Sequence, residues 1–168
     1  GEALGRQRHA ARLAGRELLH AVIQPGHADG MEVRAARRDE LRALHEARIA
    51  TWRRAYRGVV PDEYLDELTL TDEVLAKVQA RYDEGSAQTV GAWDAGTVVG
   101  MAVAGPCRDE DREGERELYA LYVLPSHWGT GTGLLLWQTV QPFSSLWVLE
   151  GNTRARGFYE RHGFRPDR

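Results

Sequence analysis

The chain has 168 residues and a formal net charge of -3, enough for one domain with its own core and too little for two of ordinary size. The slight acidic excess argues against a nucleic-acid partner, which would require a basic face; Lys77 is the only lysine, so the basic residues are almost all arginine. A single cysteine, Cys107, excludes an intrachain disulfide and cannot alone build a zinc site, and no apolar run approaches the length of a membrane span. A cytoplasmic location without membrane contact is the expectation.

In chain order, Ala11, Leu13, Leu18, Leu19, Ala21, Val22 and Ile23 are interrupted by Arg12, Arg16 and Glu17. This predicts an amphipathic helix in an N-terminal extension over residues 1–30, ahead of a domain over residues 31–168. Met31 to Ala36 alternates as a strand. Leu41, Leu44, Ala47, Ile49, Trp52 and Tyr56 then recur at three- and four-residue spacings, a long helix closed by Gly58. Pro61 opens a short helix, and Thr71 or Asp72 caps a third carrying Val74, Leu75, Val78 and Tyr82. Residues 86–93 and 97–104 are β-rich runs joined by Asp94-Ala95-Gly96, a hairpin signal. The charge run from Arg108 to Glu117 reads as a solvated loop. Leu118 to Leu124 is the next strand, followed by a glycine turn and helix, a strand over Leu146 to Leu149, and a last helix over Thr153 to His162 ended by Gly163. This order predicts an α/β (α+β) fold: a mixed central β-sheet with helices on both faces.

The most informative segment is the turn Trp128-Gly129-Thr130-Gly131-Thr132-Gly133 after the strand ending at Val123. Glycines that open a helix let backbone N–H groups converge on its positive end, a cradle for phosphate. A dinucleotide-binding fold would place such a turn after the first strand, with an acid about twenty residues on. Here three helices and a hairpin come first.

A second constellation follows. Asn152, Ala155, Tyr159, Gly163 and Phe164 stand at the spacing Asn-x-x-Ala-x-x-x-Tyr-x-x-x-Gly-Phe. With the glycine turn, this resembles the GNAT superfamily of acetyl-CoA-dependent N-acetyltransferases, of the small bacterial type, and Trp52 to Pro61 is similar to the first-helix segment of many such members. The chain departs from the family's pattern in three places. Trp128 stands where the family has Gln or Arg; the interval before Leu146 is shorter than usual, which raises the expectation of a further loop near Pro142-Phe143; and a further strand normally follows Phe164.

The resemblance implies transfer of the acetyl group of acetyl-CoA, as co-substrate and without a metal, to a primary amine of a small molecule or peptide by direct attack in a ternary complex. It implies that pantetheine enters between Leu121–Val123, with Tyr122, and Leu146–Val148, and that Trp128, Gly129, Thr130, Gly131, Thr132, Gly133, Asn152 and Tyr159 contact the coenzyme. Tyr159 is the expected acid for the departing thiolate, since a phenol of pKa about 10 stays protonated at neutral pH. Glu117 is the expected base, sharing a face with Tyr119 and Leu121 by strand alternation. Trp52, Tyr56 and Tyr119 are candidates for the amine cleft. A homodimer is expected from family habit and from the missing edge strand. The competing class is a non-catalytic acyl-CoA-binding sensor or partner subunit with the same fold.

Overall fold

The computed structural model describes residues 10–15 and 30–167. Seven strands form one sheet: β1 (Ala10–Ala14), β2 (Met31–Ala35), β3 (Gln88–Asp94), β4 (Thr97–Pro106), β5 (Arg116–Val123), β6 (Ser145–Leu149) and β7 (Arg165–Pro166), in the order β2-β3-β4-β5-β6-β1-β7. Five α-helices accompany them: α1 (Leu41–Ala55), α2 (Asp62–Glu67), α3 (Asp72–Asp83), α4 (Thr132–Val140) and α5 (Thr153–Arg161). Neighbouring strands are antiparallel except β5 and β6, which are parallel.

Local chemistry sets the boundaries. Ala95 and Gly96, both with positive φ (46° and 80°), make the two-residue turn between β3 and β4. Thr71 caps α3 by accepting the Val74 N–H at 3.2 Å, and Asn152 caps α5 by accepting that of Ala155 at 3.1 Å. On one sheet face, Leu136, Trp137, Val140, Phe143 and Phe164 are buried, with the Trp137 ring 4.6 Å from Phe143 and 5.1 Å from Phe164. On the other, Leu44 packs with Ala36, Trp93 and Met101, while Tyr56, Val60 and Leu65 form a smaller cluster beside it.

Two expectations change. Ala10–Ala14 is a strand where the apolar spacing predicted a helix; residues 16–29, the rest of that helix, lie outside the described residues. The strand is favoured because it pairs along the whole of β6, burying Leu13 completely, while Arg12 reaches Asp109, Asp111 and Asp167. A lone helical turn offers neither the ladder nor the ion pairs. β1 and then β7 therefore stand where an additional strand was expected after Phe164, so the unpaired edge that motivated a dimer is covered. The short interval after α4 is a compact connection: the Ser144 N–H donates to the Arg116 carbonyl at 2.9 Å, and Phe143 is fully buried.

Leu13 tests the insertion of β1. Leu13→Ala leaves a cavity beside Phe164 and the α4 face of the sheet and is expected to destabilise the protein by about 2–5 kcal/mol in denaturant unfolding. A loss under about 0.5 kcal/mol would mean that β1 does not hold this place in the sheet.

Candidate active site

β5 and β6 pair at only two positions, Glu117 with Ser145 and Leu118 with Leu146. Beyond them the strands part, so Tyr119–Val123 has no partner on its β6 side among the described residues, although β4 pairs along its other edge. Leu121, Tyr122 and Val123 line this opening on one strand, and Trp147 to Leu149 continue the other.

The glycine turn closes one end. Gly129 (φ 77°) and Gly131 (φ 89°) occupy the left-handed region, and a Cβ at either would meet nothing within 4 Å, so backbone geometry and not local crowding calls for glycine. Among the described residues, the backbone N–H groups from Gly129 to Leu134 find no acceptor, while that of Leu135 returns to the Gly131 carbonyl. These donors, at the positive end of α4, could receive an anion. The turn is braced from within: the Thr130 hydroxyl donates to the His127 carbonyl at 2.7 Å and lies 2.8 Å from that of buried Thr132, and His127 Nε2 lies 2.9 Å from Asp94 Oδ2. Trp128 turns back, its indole N–H donating to the Val123 carbonyl at 2.8 Å, and carries the Arg154 guanidinium over its ring at 4.3 Å. Arg154 is therefore a cation beside the turn that the family pattern at Trp128 did not reveal.

Three phenols gather near the opening. Tyr159 is 7 % exposed, packs against Trp137 and Phe158, and its hydroxyl makes no hydrogen bond among the described residues. Burial, with the nearby Tyr56 and Tyr122 phenols adding, pushes its pKa strongly upward. Tyr56 is raised in the same way, chiefly by burial, although Asn152 Nδ2 donates to its oxygen at 3.4 Å. Trp52 stands edge-on to Tyr56 at 4.9 Å and lies 6.2 Å from Tyr122, so Trp52, Tyr56, Tyr122 and Tyr159 form one neighbourhood.

Glu117 and Tyr119 lie elsewhere. A bulge pairs Val103 with Ala120 and Ala104 with Leu118, leaving Tyr119 unopposed. The expected shared face of Glu117, Tyr119 and Leu121 is thereby lost: Leu118 and Leu121 both join the core on the α4 side, despite their odd spacing. Glu117 is completely buried and accepts from Arg108, by its backbone N–H at 3.1 Å and by NH2 at 2.5 Å. With its oxygens held by that guanidinium, it is not the open proton acceptor the sequence suggested. Tyr119 donates to the Pro106 carbonyl and underlies the Arg108 guanidinium, so it serves as a platform for Arg108. Cys107, Asp109 and Glu117 bring possible ligand atoms within 4.8 Å of one another, but Asp109 also accepts the Trp147 indole N–H and Glu117 is committed to Arg108.

A sheet parted at its parallel pair, with a glycine turn at one end and a tyrosine-bearing helix beneath, defines an acetyltransferase of the GNAT type, and the chain belongs to the acetyltransferase (GNAT) family, whose sequence profile matches residues 41–164. It is 30% identical over 128 residues to the uncharacterized N-acetyltransferase YuaI of Bacillus subtilis (strain 168), covering 71% of this chain and 72% of that protein. Its fold is similar to that of the PaiA N-acetyltransferase from Thermoplasma acidophilum, solved in complex with coenzyme A, with a TM-score of 0.65, 20% identity, and coverage of 80% of this chain and 89% of that one. YncA from Salmonella typhimurium, solved with its cofactor acetyl-CoA, aligns with a TM-score of 0.50 at 25% identity over 67% of this chain and 61% of that one. No helix among the described residues is long and apolar enough to cross a membrane.

Sequence reasoning missed two residues of α1, His45 and Arg48. They precede Trp52 and Tyr56 on the same helical stripe, and that spacing is the signal that could have found them. His45 Nδ1 and Arg48 Nε are buried without a hydrogen-bond partner among the described residues. Burial, then the Arg48 charge, lowers the His45 pKa from 6.5 to about 4. The folded state thus holds a neutral imidazole while the unfolded chain takes up a proton below about pH 6.5, so stability falls as pH drops from about 6.5 to about 4. The full loss is about 3 kcal/mol. Thermal unfolding across this window should show a flatter profile for His45→Gln than for the parent; equal slopes would mean that His45 is not buried neutral. The Glu40 carboxyl, held down to about 2 chiefly by Arg34, titrates in a lower window.

Proposed function

We propose that this protein transfers the acetyl group of acetyl-CoA to a primary amine by direct attack within a ternary complex. The observation that carries this reading is the parted β5–β6 pair ending at a turn whose amides from Gly129 to Leu134 lack acceptors among the described residues. Solved relatives that hold coenzyme A or acetyl-CoA support it. On this reading the pyrophosphate takes the turn amides, with Arg154 on Trp128 adding positive charge, and the pantetheine adds its amides to the open edge of Leu121–Val123. β1 belongs to the same catalytic domain, because it backs β6, the second wall of the opening.

Acetyl-CoA supplies the thioester when bound. The chain's residues align the thioester and amine and provide a proton for the leaving sulfur. Tyr159 is the donor: burial keeps its phenol protonated throughout the neutral range, and its hydroxyl is not committed to another partner among the described residues. Asn152 caps α5 and fixes Tyr56. Glu117 acts indirectly, by anchoring Arg108, and the ammonium proton leaves to water at the mouth of the cleft.

Thermal unfolding with and without acetyl-CoA is the first test. Ligand at a hundred times its dissociation constant adds about 2.7 kcal/mol, a shift of several degrees in a domain of this size. Tyr159→Phe should retain that shift and lose about 100-fold or more in thiol release with an accepted amine. Retained binding with no release from any amine by the parent protein would favour the non-catalytic acyl-CoA-binding reading, and absence of a shift at millimolar ligand would remove the coenzyme site.

A further inference from the structure

The charge inventory of the α1 face narrows the acceptor. Arg48 projects from α1 into the side of the sheet occupied by Tyr122, and the polar ends of Arg48 and Trp52 both approach the Tyr122 hydroxyl. Among the described residues, neither Arg48 Nε nor Trp52 Nε1 has a partner within hydrogen-bond distance, although both atoms are buried. No carboxylate pairs with Arg48 among the described residues, whereas the other cation acting on Tyr122, Arg108, is matched by Glu117. His45, the next polar group along the stripe, is held neutral by burial and by Arg48, so it offers Arg48 no balancing negative charge and adds no second cation.

Several carboxylates around the β4–β5 connection are already held by arginines. Asp109 and Asp111 face Arg12, Glu115 pairs with Arg112, and Asp167 is shared by Arg12 and Arg112. Arg48 Nε and the Trp52 indole N–H, buried with no acceptor within hydrogen-bond distance among the described residues, are costly unless something completes them. A carboxylate does so for both, since it accepts from a guanidinium and an indole together and balances the charge.

Resting on the reading that this cleft acetylates amines, we infer that the acceptor is an amino acid, whose free carboxylate is bound by Arg48 and Trp52 beside Tyr122 while its amine faces the thioester. A polyamine would bring further positive charge to Arg48, and a peptide amine or amino-acid amide would offer a neutral carbonyl that leaves the guanidinium uncompensated.

The test compares, with acetyl-CoA and a thiol-release assay, the common amino acids with their amides and with the corresponding decarboxylated amines. At least one free amino acid is expected to exceed its amide and amine counterparts by about 100-fold in kcat/KM, as for a site built around a buried polar partner. Arg48→Gln should raise KM for that amino acid more than it lowers kcat and collapse the acid-to-amide preference, and Arg48→Lys should recover part of it. Trp52→Phe keeps the ring and removes only the N–H, so a smaller loss of the same preference is expected even where the Arg48 variants fold poorly. Amides or amines used as well as the free acids, or a preference unmoved by both substitutions, would overturn the inference. It also falls if acetyl-CoA raises Tm but no amino acid is acetylated, an outcome that leaves the coenzyme site standing; if acetyl-CoA itself does not bind, the proposed function falls with it.

Discussion

A sheet that stops pairing in its middle is the constraint on which the rest of this molecule depends. β5 and β6 share two positions and then separate, which exposes backbone that would elsewhere be satisfied by a neighbouring strand. Such an opening is costly unless it is bounded and filled. Trp128 satisfies one exposed carbonyl, that of Val123. The aromatic packing of α5 and α4 supports the gap from one face, and the Trp52–Tyr56 pair covers the other. The open edge of β5 and the amides of the following turn that lack acceptors among the described residues are parts of one strip of hydrogen-bonding capacity.

The bulge at Tyr119 is the second half of that arrangement. By adding one residue to β5 it reverses which side chains point to which face, carrying Tyr122 toward α1 and leaving Glu117 beside Arg108. The electrostatic character of the cleft follows: Glu117 is drawn away to Arg108, and the phenols of the cleft are kept protonated by burial. The arginine-rich composition contributes as well, since Asp109, Asp111, Glu115 and Glu117 around the β4–β5 connection each meet a guanidinium.

Much of this was legible in the residues. The 3.6-residue pattern of Leu41, Leu44 and Ile49, the Thr71 and Asn152 caps, the Ala95-Gly96 turn and the glycine run before α4 each encode local structure through short-range chemistry, and each element formed close to where it was read. Three features were not legible because they depend on pairing with distant chain. Ala10–Ala14 has helix-forming alanines and one leucine, and only the open edge of β6 makes it a strand. The bulge at Tyr119 exists only in register with Val103 and Ala104, so alternation counted along β5 misassigned Glu117. Arg48 looks like an ordinary polar residue in the sequence, and only the packing of α1 on the sheet buries its Nε away from an acceptor among the described residues. Tyr159 was easier, since its spacing from Asn152 is a property of a single helix.

The place of β1 has a consequence for assembly in time. It lies between β6 and β7, so the strand met first along the described chain can pair only with strands made more than 130 residues later. During synthesis from the N-terminus, the β2–β3–β4–β5 meander has all its partners available while β1 has none. Its docking is thus a late event that seals β6 from outside, and the second wall of the opening becomes firm only when both ends of the chain have come together.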